Sequence, residues 1–268
     1  MQLNHCQALV TGATGGIGQA LVDALCQGGA RVLAVGRDEI ALGALAARHP
    51  GQVETVAADL ASRDGRARVR EAGEAFGANL LLNAAGLNRF GLLETQDEDA
   101  IERLIALNVT ATLQLTHLLL PLLGRAPEAM IVNVGSTFGA LGYPGFAPYC
   151  ASKFALRGFS EALRRELADT RVKVLYVAPR ATRTDMNGRA VNDLNRQLGV
   201  AMDAPQAVAA AIVRAIGAGR EELHLGWPER LFVRLNGLLP RLVDRALRKQ
   251  LPVVKRFAMS RTPGGSGS

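Results

Sequence analysis

Ala8-Leu9-Val10-Thr11-Gly12-Ala13-Thr14-Gly15-Gly16-Ile17-Gly18 decides the fold of this chain. An apolar run over residues 7–10 enters a turn carrying four glycines, and a helical pattern over residues 17–27 follows. Glycine permits the tight turn and lets the backbone approach a pyrophosphate. The next helix offers the same anion its free N–H groups and the positive end of its dipole. A purely structural glycine turn is the other reading. The place of the loop, after the first strand and before a helix, favours phosphate binding.

Outward from that loop, apolar and β-branched runs recur at residues 30–35, 53–57, 80–83, 130–134, 173–177 and 222–225. Helix-length segments lie between them, among them 17–27, 38–48 and 97–123. Strand and helix in alternation imply a parallel sheet with helices on both faces. Strands buried on both faces should be apolar throughout, and these mostly are. The expected fold class is α/β, doubly wound, with a mostly seven-stranded parallel sheet. No internal repeat is visible.

The chain has 268 residues, a length suited to one large α/β domain. Apolar residues at 49% and charged residues at 21% exclude wholesale disorder. Aromatics are only 4%, so the core must be built from Leu, Val, Ile and Ala. Cys6, Cys26 and Cys150 are too scattered for a disulfide framework or a zinc site and read as buried thiols in a reducing compartment. The N-terminus lacks a signal-peptide pattern, and no apolar run approaches the roughly 18 residues that span a bilayer. A cytoplasmic location is expected.

The net charge of +7 suggests nucleic acid until it is located. Residues 1–227 hold 22 basic and 22 acidic residues, whereas residues 228–268 hold nine and two. A neutral body carries a basic tail. The expected organisation is a catalytic domain over 1–227, a basic amphipathic extension of it over 228–261, and a flexible Gly/Ser-rich end over 262–268.

The spacing Thr11-Gly12-x-x-x-Gly16-Ile17-Gly18 resembles that of the short-chain dehydrogenase/reductase family. The resemblance covers about residues 5–226 and implies a Rossmann-like nucleotide-binding domain. Gly12, Thr14, Gly16, Ile17 and Gly18 then form the cofactor loop. NAD enzymes of this fold commonly place an acid at the end of the second strand to hold the ribose 2′-hydroxyl. Here Gly36 stands there, followed by Arg37, whose guanidinium suits a 2′-phosphate. NADP(H) is therefore expected over NAD(H), although Gly15 occupies a place where NADP-using relatives often carry a second basic residue. An ordinary surface arginine is the other reading of Arg37.

Asp59, in Ala58-Asp59-Leu60, matches the family aspartate that meets the adenine amino group, with Leu60 beside it; a helix N-cap is the alternative. Asn83-Ala84-Ala85-Gly86 resembles the family's Asn-Asn-Ala-Gly, with Ala84 in place of the second asparagine. That motif steadies the sheet and lets the backbone pass close to the cofactor.

Asn133-Val134-Gly135-Ser136 ends the fifth strand, and Tyr149-Cys150-Ala151-Ser152-Lys153 follows. Tyrosine and lysine four apart share a helix face. With Asn108 they match the family's catalytic tetrad: Asn108, Ser136, Tyr149 and Lys153. Reduction of a carbonyl needs hydride at carbon and a proton at oxygen. A free tyrosine titrates near 10, and a neighbouring ammonium lowers that value. Tyr149 is thus the expected acid in reduction and base in oxidation. Ser136 hydrogen-bonds the carbonyl oxygen, Lys153 also binds the nicotinamide ribose, and Asn108 holds a water that links Lys153 to solvent. Singly, each has a bland reading as a turn residue, packed aromatic, solvated charge or surface amide.

Pro179-Arg180-Ala181-Thr182-Arg183-Thr184 resembles the family's Pro-Gly-x-x-x-Thr. Pro179 and Thr184 match and imply contact with the nicotinamide; Arg180 replaces glycine, which puts the local backbone in question. Arg180 and Arg183 either meet cofactor phosphate or an acidic substrate group, or pair with Asp185 or solvent. Residues 185–202 correspond to a mobile lid. Phe138, Tyr143 and Phe146, with Leu141 and Pro144, are expected to form an apolar pocket wall.

Beyond residue 231, apolar residues recur at helical spacing, with Arg230, Arg234, Arg241, Arg245, Arg248 and Lys249 on other faces, while Pro240 should kink or split the stripe. Trp227-Pro228 marks its start. Three readings compete: packing on the core or a neighbouring subunit, a cap over the active-site mouth, and peripheral contact with an anionic membrane. The few aromatics argue against the third, and the charge also suits an acidic acyl carrier. Expected partners are a small carbonyl or alcohol substrate and a second copy, as homodimer or homotetramer. The runner-up activities are reduction of a 3-oxoacyl group on its carrier protein and cofactor sensing without turnover. A nucleic-acid binder is weaker, since the tail has no recognised motif.

Overall fold

In a computed structural model, the described residues are 1–227 and 229–259. Seven parallel strands take the order β3-β2-β1-β4-β5-β6-β7. They are β1 (Gln7–Thr11), β2 (Arg31–Gly36), β3 (Val53–Ala57), β4 (Leu80–Asn83), β5 (Ala129–Val134), β6 (Val172–Ala178) and β7 (Glu222–His224). Each expected strand is present with ends shifted by at most a residue. The strand order reverses between β1 and β4. This opens a crevice at their carboxyl ends, where ligands bind in open α/β sheets.

One face of the sheet is covered by α1 (Gly16–Gln27), α2 (Glu39–Arg48) and, later in the chain, Pro205–Gly217. Leu21, Leu25, Leu42 and Ile212 pack there against Val10, Val32 and Val132. The other face carries α3 (Arg63–Phe76), α4 (Glu98–Ile105), α5 (Thr112–Leu123) and α6 (Ala147–Glu166). Val69, Leu115, Leu119 and Leu163 meet Leu9, Leu81 and Ile131. Asp38 caps α2, accepting from the Ala41 N–H. Ser62, rather than Asp59, caps α3 by accepting from Gly65 N–H; Asp59 accepts from Ala61 N–H. The N-cap alternative for Asp59 therefore fails.

The segment expected as one helix over 97–123 is broken by a π turn, Ala106–Ala111, between α4 and α5. Asn108 sits in it. The composite Glu98–Leu123 is long and apolar enough, by length and composition, to cross a membrane. That corrects the expectation that no segment approaches this length. In the fold, Leu104, Leu115, Leu119 and Leu123 are buried.

After α7 (Arg189–Gln197) and α8 (Pro205–Gly217) come α9 (Glu229–Leu238) and α10 (Pro240–Met259). Pro240 opens α10, so the apolar stripe is split at the expected place. The Gly/Ser-rich residues 262–268, and Pro228, lie outside the described residues.

Thr11, at the end of β1, stitches that strand to the chain leaving β4. Its hydroxyl accepts from Ala84 N–H at 3.1 Å and Ala85 N–H at 3.2 Å and faces Leu82 O at 3.3 Å. Thr11→Val keeps the shape and orphans two amides. We expect a loss of about 2 kcal/mol, read as a lower urea midpoint with an unchanged slope.

Candidate active site

The glycine loop is shaped for close approach. Gly12 has φ +64°, and a Cβ there would lie 2.7 Å from Ala85 Cα. A Cβ at Gly16 would lie 2.7 Å from Thr184 Cγ2. The loop, the β4 end and the β6 end therefore converge, as the spacing of their motifs implies. Gly12, Thr14, Gly16, Ile17 and Gly18 line a cavity of about 690 Å³. Ala84, Gly86, Pro179 and Thr184 line the same cavity.

Three of the four expected catalytic residues face the same space. Ser136 projects from the carboxyl end of β5, Tyr149 and Lys153 from the first turns of α6. The Ser136 hydroxyl lies near enough to the Tyr149 phenol to favour its ionised form. The Ser136 hydroxyl also accepts from Phe138 N–H at 3.1 Å, which fixes its direction. Lys153, only 6% exposed, donates to Val134 O at 3.0 Å and lies 5.7 Å from the Tyr149 ring centre.

Asn108 stands behind this group and is 1% exposed. Its Oδ1 accepts from Leu87 N–H at 2.7 Å, and its Nδ2 donates to Leu87 O at 2.9 Å. Nδ2 also donates to Ser152 Oγ at 3.0 Å, and Ser152 in turn donates to Tyr149 O at 2.7 Å. The Asn108 side chain thus holds the loop after β4 to the turn bearing Tyr149. Ser152 was missed by sequence reasoning although it lies inside the quoted motif; its spacing of three from Tyr149 was the available signal.

Burial pushes the Tyr149 phenol up to about 12, against the pull of the neighbouring Ser136 hydroxyl. Burial brings the Lys153 ammonium down to about 8. This differs from the expectation of a phenol lowered by Lys153. The two groups are held close, yet desolvation opposes charge on both.

Other expected cofactor residues take different places. Arg37 and Asp59 are exposed, and Leu60 buried, just past the ends of β2 and β3 and outside the cavity lining. Asn83 is 3% exposed within the sheet, donating to Thr116 Oγ1 at 3.1 Å and Asn133 Oδ1 at 2.9 Å. Its side chain serves the sheet.

This arrangement places a proton-bearing phenol, a hydroxyl and an ammonium beside a phosphate-shaped glycine cradle. The family description "short chain dehydrogenase" matches residues 7–195. The chain belongs to the short-chain dehydrogenase/reductase family. It is an oxidoreductase of that family. Nodulation protein G of Rhizobium sp. (strain N33) is 34% identical over 198 residues, covering 73% of this chain and 80% of its own. The 3-oxoacyl-[acyl-carrier-protein] reductase FabG of Vibrio cholerae is 32% identical over 209 residues, with coverages of 73% and 81%. A short-chain dehydrogenase from Burkholderia cenocepacia J2315, solved in complex with NADP, superposes with a TM-score of 0.80 at 28% identity, covering 92% of this chain and 99% of its own.

Within this family frame, the departures are local. Arg180 replaces glycine without a left-handed backbone, since every non-glycine residue has negative φ among the described residues. Its guanidinium is engaged by Asp203, Nε to Oδ2 at 3.0 Å and Nη2 to Oδ1 at 2.7 Å. The pairing with Asp185 is replaced by one with Asp203, whose backbone also joins Ala181 and Arg183. This ion pair steadies the loop leading to Thr184.

Another part of the cavity wall is aromatic. Phe138 stacks on Tyr143 with centroids 5.1 Å apart, and Phe146 lies 5.2 Å from Phe138. All three line the cavity. The extension adds to this lining: Phe232 from α9, and Val243, Leu247 and Gln250 from α10. Gln250 Oε1 accepts from the Tyr143 hydroxyl at 2.6 Å, and Asn236 donates to Ala140 O at 3.0 Å. These contacts pack α9 and α10 against the body where they also line the cavity, which fits both the packing and the cap readings of the tail. Residues 185–202 contribute α7, whose Val191 and Leu194 face the same cavity.

Proposed function

We propose that this chain interconverts an apolar ketone or aldehyde with its alcohol, using NADP(H), with Tyr149 as the general acid and base. The carrying observation is the meeting of Ser136, Tyr149 and Lys153 at the end of β5, beside the Gly12–Gly18 cradle and an aromatic wall. The cradle fits a dinucleotide: its backbone approaches where side chains would collide. A bound nicotinamide supplies the hydride and, when oxidised, a positive ring.

In reduction, the Tyr149 hydroxyl gives its proton to the carbonyl oxygen; in oxidation the phenolate takes it back. Ser136 donates a hydrogen bond to that oxygen as charge grows on it. Lys153 offers an ammonium to the ribose and to the phenolate. Asn108 and Ser152 keep the Tyr149 turn in register with the loop after β4. The wall of Phe138, Tyr143 and Phe146, with α10 beside it, excludes water.

Arg37 supports NADP(H) over NAD(H). It is exposed directly after β2, where an acid would repel a 2′-phosphate, and Gly36 leaves room beside Thr14. For Arg37→Glu we expect kcat/KM with NADPH to fall about tenfold or more and that with NADH to hold or rise. An equal fall with both cofactors would remove the assignment.

A narrower reading, reduction of a 3-oxoacyl group on its carrier, is favoured by the Vibrio cholerae relative's name and by the basic extension. One panel tests both: NADPH oxidation over 2-ketones of rising chain length and over 3-oxoacyl thioesters, free and on carrier protein. Turnover rising with chain length supports the general reading; turnover confined to carrier-bound thioesters selects the narrower one. Tight NADPH binding without turnover anywhere overturns both in favour of a sensor.

We further propose self-association through the face bearing α5 and α6, on which Phe154 is 42% exposed. Light scattering at working concentrations reads it directly.

A further inference from the structure

Large exposed apolar side chains are unevenly spread over the described residues. Six of the twelve lie on α9, α10 and the turn between them: Leu231, Phe232, Leu238, Leu239, Leu242 and Met259. Leu238, Leu239 and Leu242 gather at the turn, with 79%, 51% and 54% exposure. Arg241, Arg245 and Lys249 are exposed at one-turn spacing along α10, and Arg245 stands three positions from Leu242. The other face of α10 is spent on the cavity and on Tyr143. The α9–α10 turn therefore carries a cluster of exposed leucines beside a row of cations along α10, with Asp244 the one exposed acid among them in the described residues. All of the net charge of the chain falls in residues 228–268.

Three occupants fit such a surface unequally. A second copy of this chain, paired symmetrically turn to turn, would set like charges against each other. An acidic carrier protein would satisfy the charge but leaves the protruding leucines without a purpose. An anionic bilayer takes both features at once: leucines below the headgroups, cations among them. Phe232 links the two regions, since it lines the cavity and is 42% exposed.

We propose that the α9–α10 turn seats the protein on an anionic lipid surface, with the mouth of the substrate cavity beside the bilayer. An apolar substrate dissolved in lipid then reaches Tyr149 along the wall of α10. The attachment itself does not depend on the carbonyl reading, because it is measured without turnover.

The test is sedimentation of the full chain with vesicles of phosphatidylcholine alone or containing phosphatidylglycerol. Two variants accompany it: Leu238→Asp with Leu242→Asp, and Arg241→Ala with Arg245→Ala and Lys249→Ala. None of these residues lines the cavity. The wild type should partition onto the anionic vesicles and leave them at high salt. Removing three cations should lower partitioning about a hundredfold, and the aspartates should abolish it. Unchanged melting and secondary structure in the cationic variant keep the comparison fair if the aspartate variant unfolds. Absence of anionic-vesicle binding overturns the proposal, as does equal binding by wild type and the cationic variant. Capture of an acidic carrier protein without vesicle binding, or a concentration-dependent dimer lost in the leucine variant without vesicle binding, overturns it in favour of those partners.

Discussion

Tyr149→Phe should lower turnover of an apolar ketone by about 10²–10⁴-fold and leave NADPH affinity unchanged. Phenylalanine keeps the ring, and with it the edge contacts to Phe138 and Phe146, both at 6.4 Å. The fold and the aromatic wall therefore survive. Only the hydroxyl is lost, and with it the proton for the product alkoxide. Ser136 remains to hydrogen-bond the oxygen but has no proton source aligned behind it. The loss should appear in kcat and kcat/KM alike, since the interaction is made in the transition state. In the oxidation direction the wild-type rate should rise with pH as the phenol ionises. A variant retaining full reductase activity would remove Tyr149 from the chemistry.

Lys153→Met should do two opposite things. Activity should fall by a factor comparable to that for Tyr149→Phe, because Lys153 is the ammonium held beside the phenol among the described residues. The cofactor-free protein should become more stable at neutral pH. Lys153 is buried and its folded value, about 8, lies below the ordinary 10.5. Between those values the unfolded chain holds a proton that the folded chain does not, so lysine's penalty shrinks as pH rises across that window. Below about pH 8 the penalty is fully present, and methionine escapes it. We expect Tm to rise by about 5 °C at pH 7, part of the gain being offset by the lost donor to Val134 O. The difference should fade from pH 8 to 10.5. A lower Tm for the variant at pH 7, or a gain that ignores pH, would contradict the burial argument.

The fold was legible because each buried parallel strand is a short apolar run that can serve little else, and because Gly12–Gly18 sits where only a strand–turn–helix accommodates it. The meeting of Ser136, Tyr149 and Lys153 on one cavity was legible for a similar reason: spacing along one strand end and one helix fixes them. What failed depends on groups distant in sequence. Asp203, which pairs with Arg180, joins the loop through backbone pairing that no local pattern announces. Asn108, in the π turn, bonds to Leu87 and Ser152, twenty-one and forty-four residues away. The raised phenol of Tyr149 reflects burial, which the motif does not encode. The tail's helical stripe was visible, as was its break at Pro240. Its place beside the cavity rests on Gln250 meeting Tyr143 across the fold.

The central claim is that hydride and proton meet one carbonyl group at Ser136, Tyr149 and Lys153. Its most direct measurement uses NADPH deuterated at the transferring carbon, a medium-chain ketone and the wild-type protein. The account predicts one deuterium on the carbinol carbon of the product, a primary isotope effect on the single-turnover rate, and loss of that labelled product in Tyr149→Phe. Alcohol formed without the label, or no alcohol from any ketone while NADPH stays bound, would contradict it.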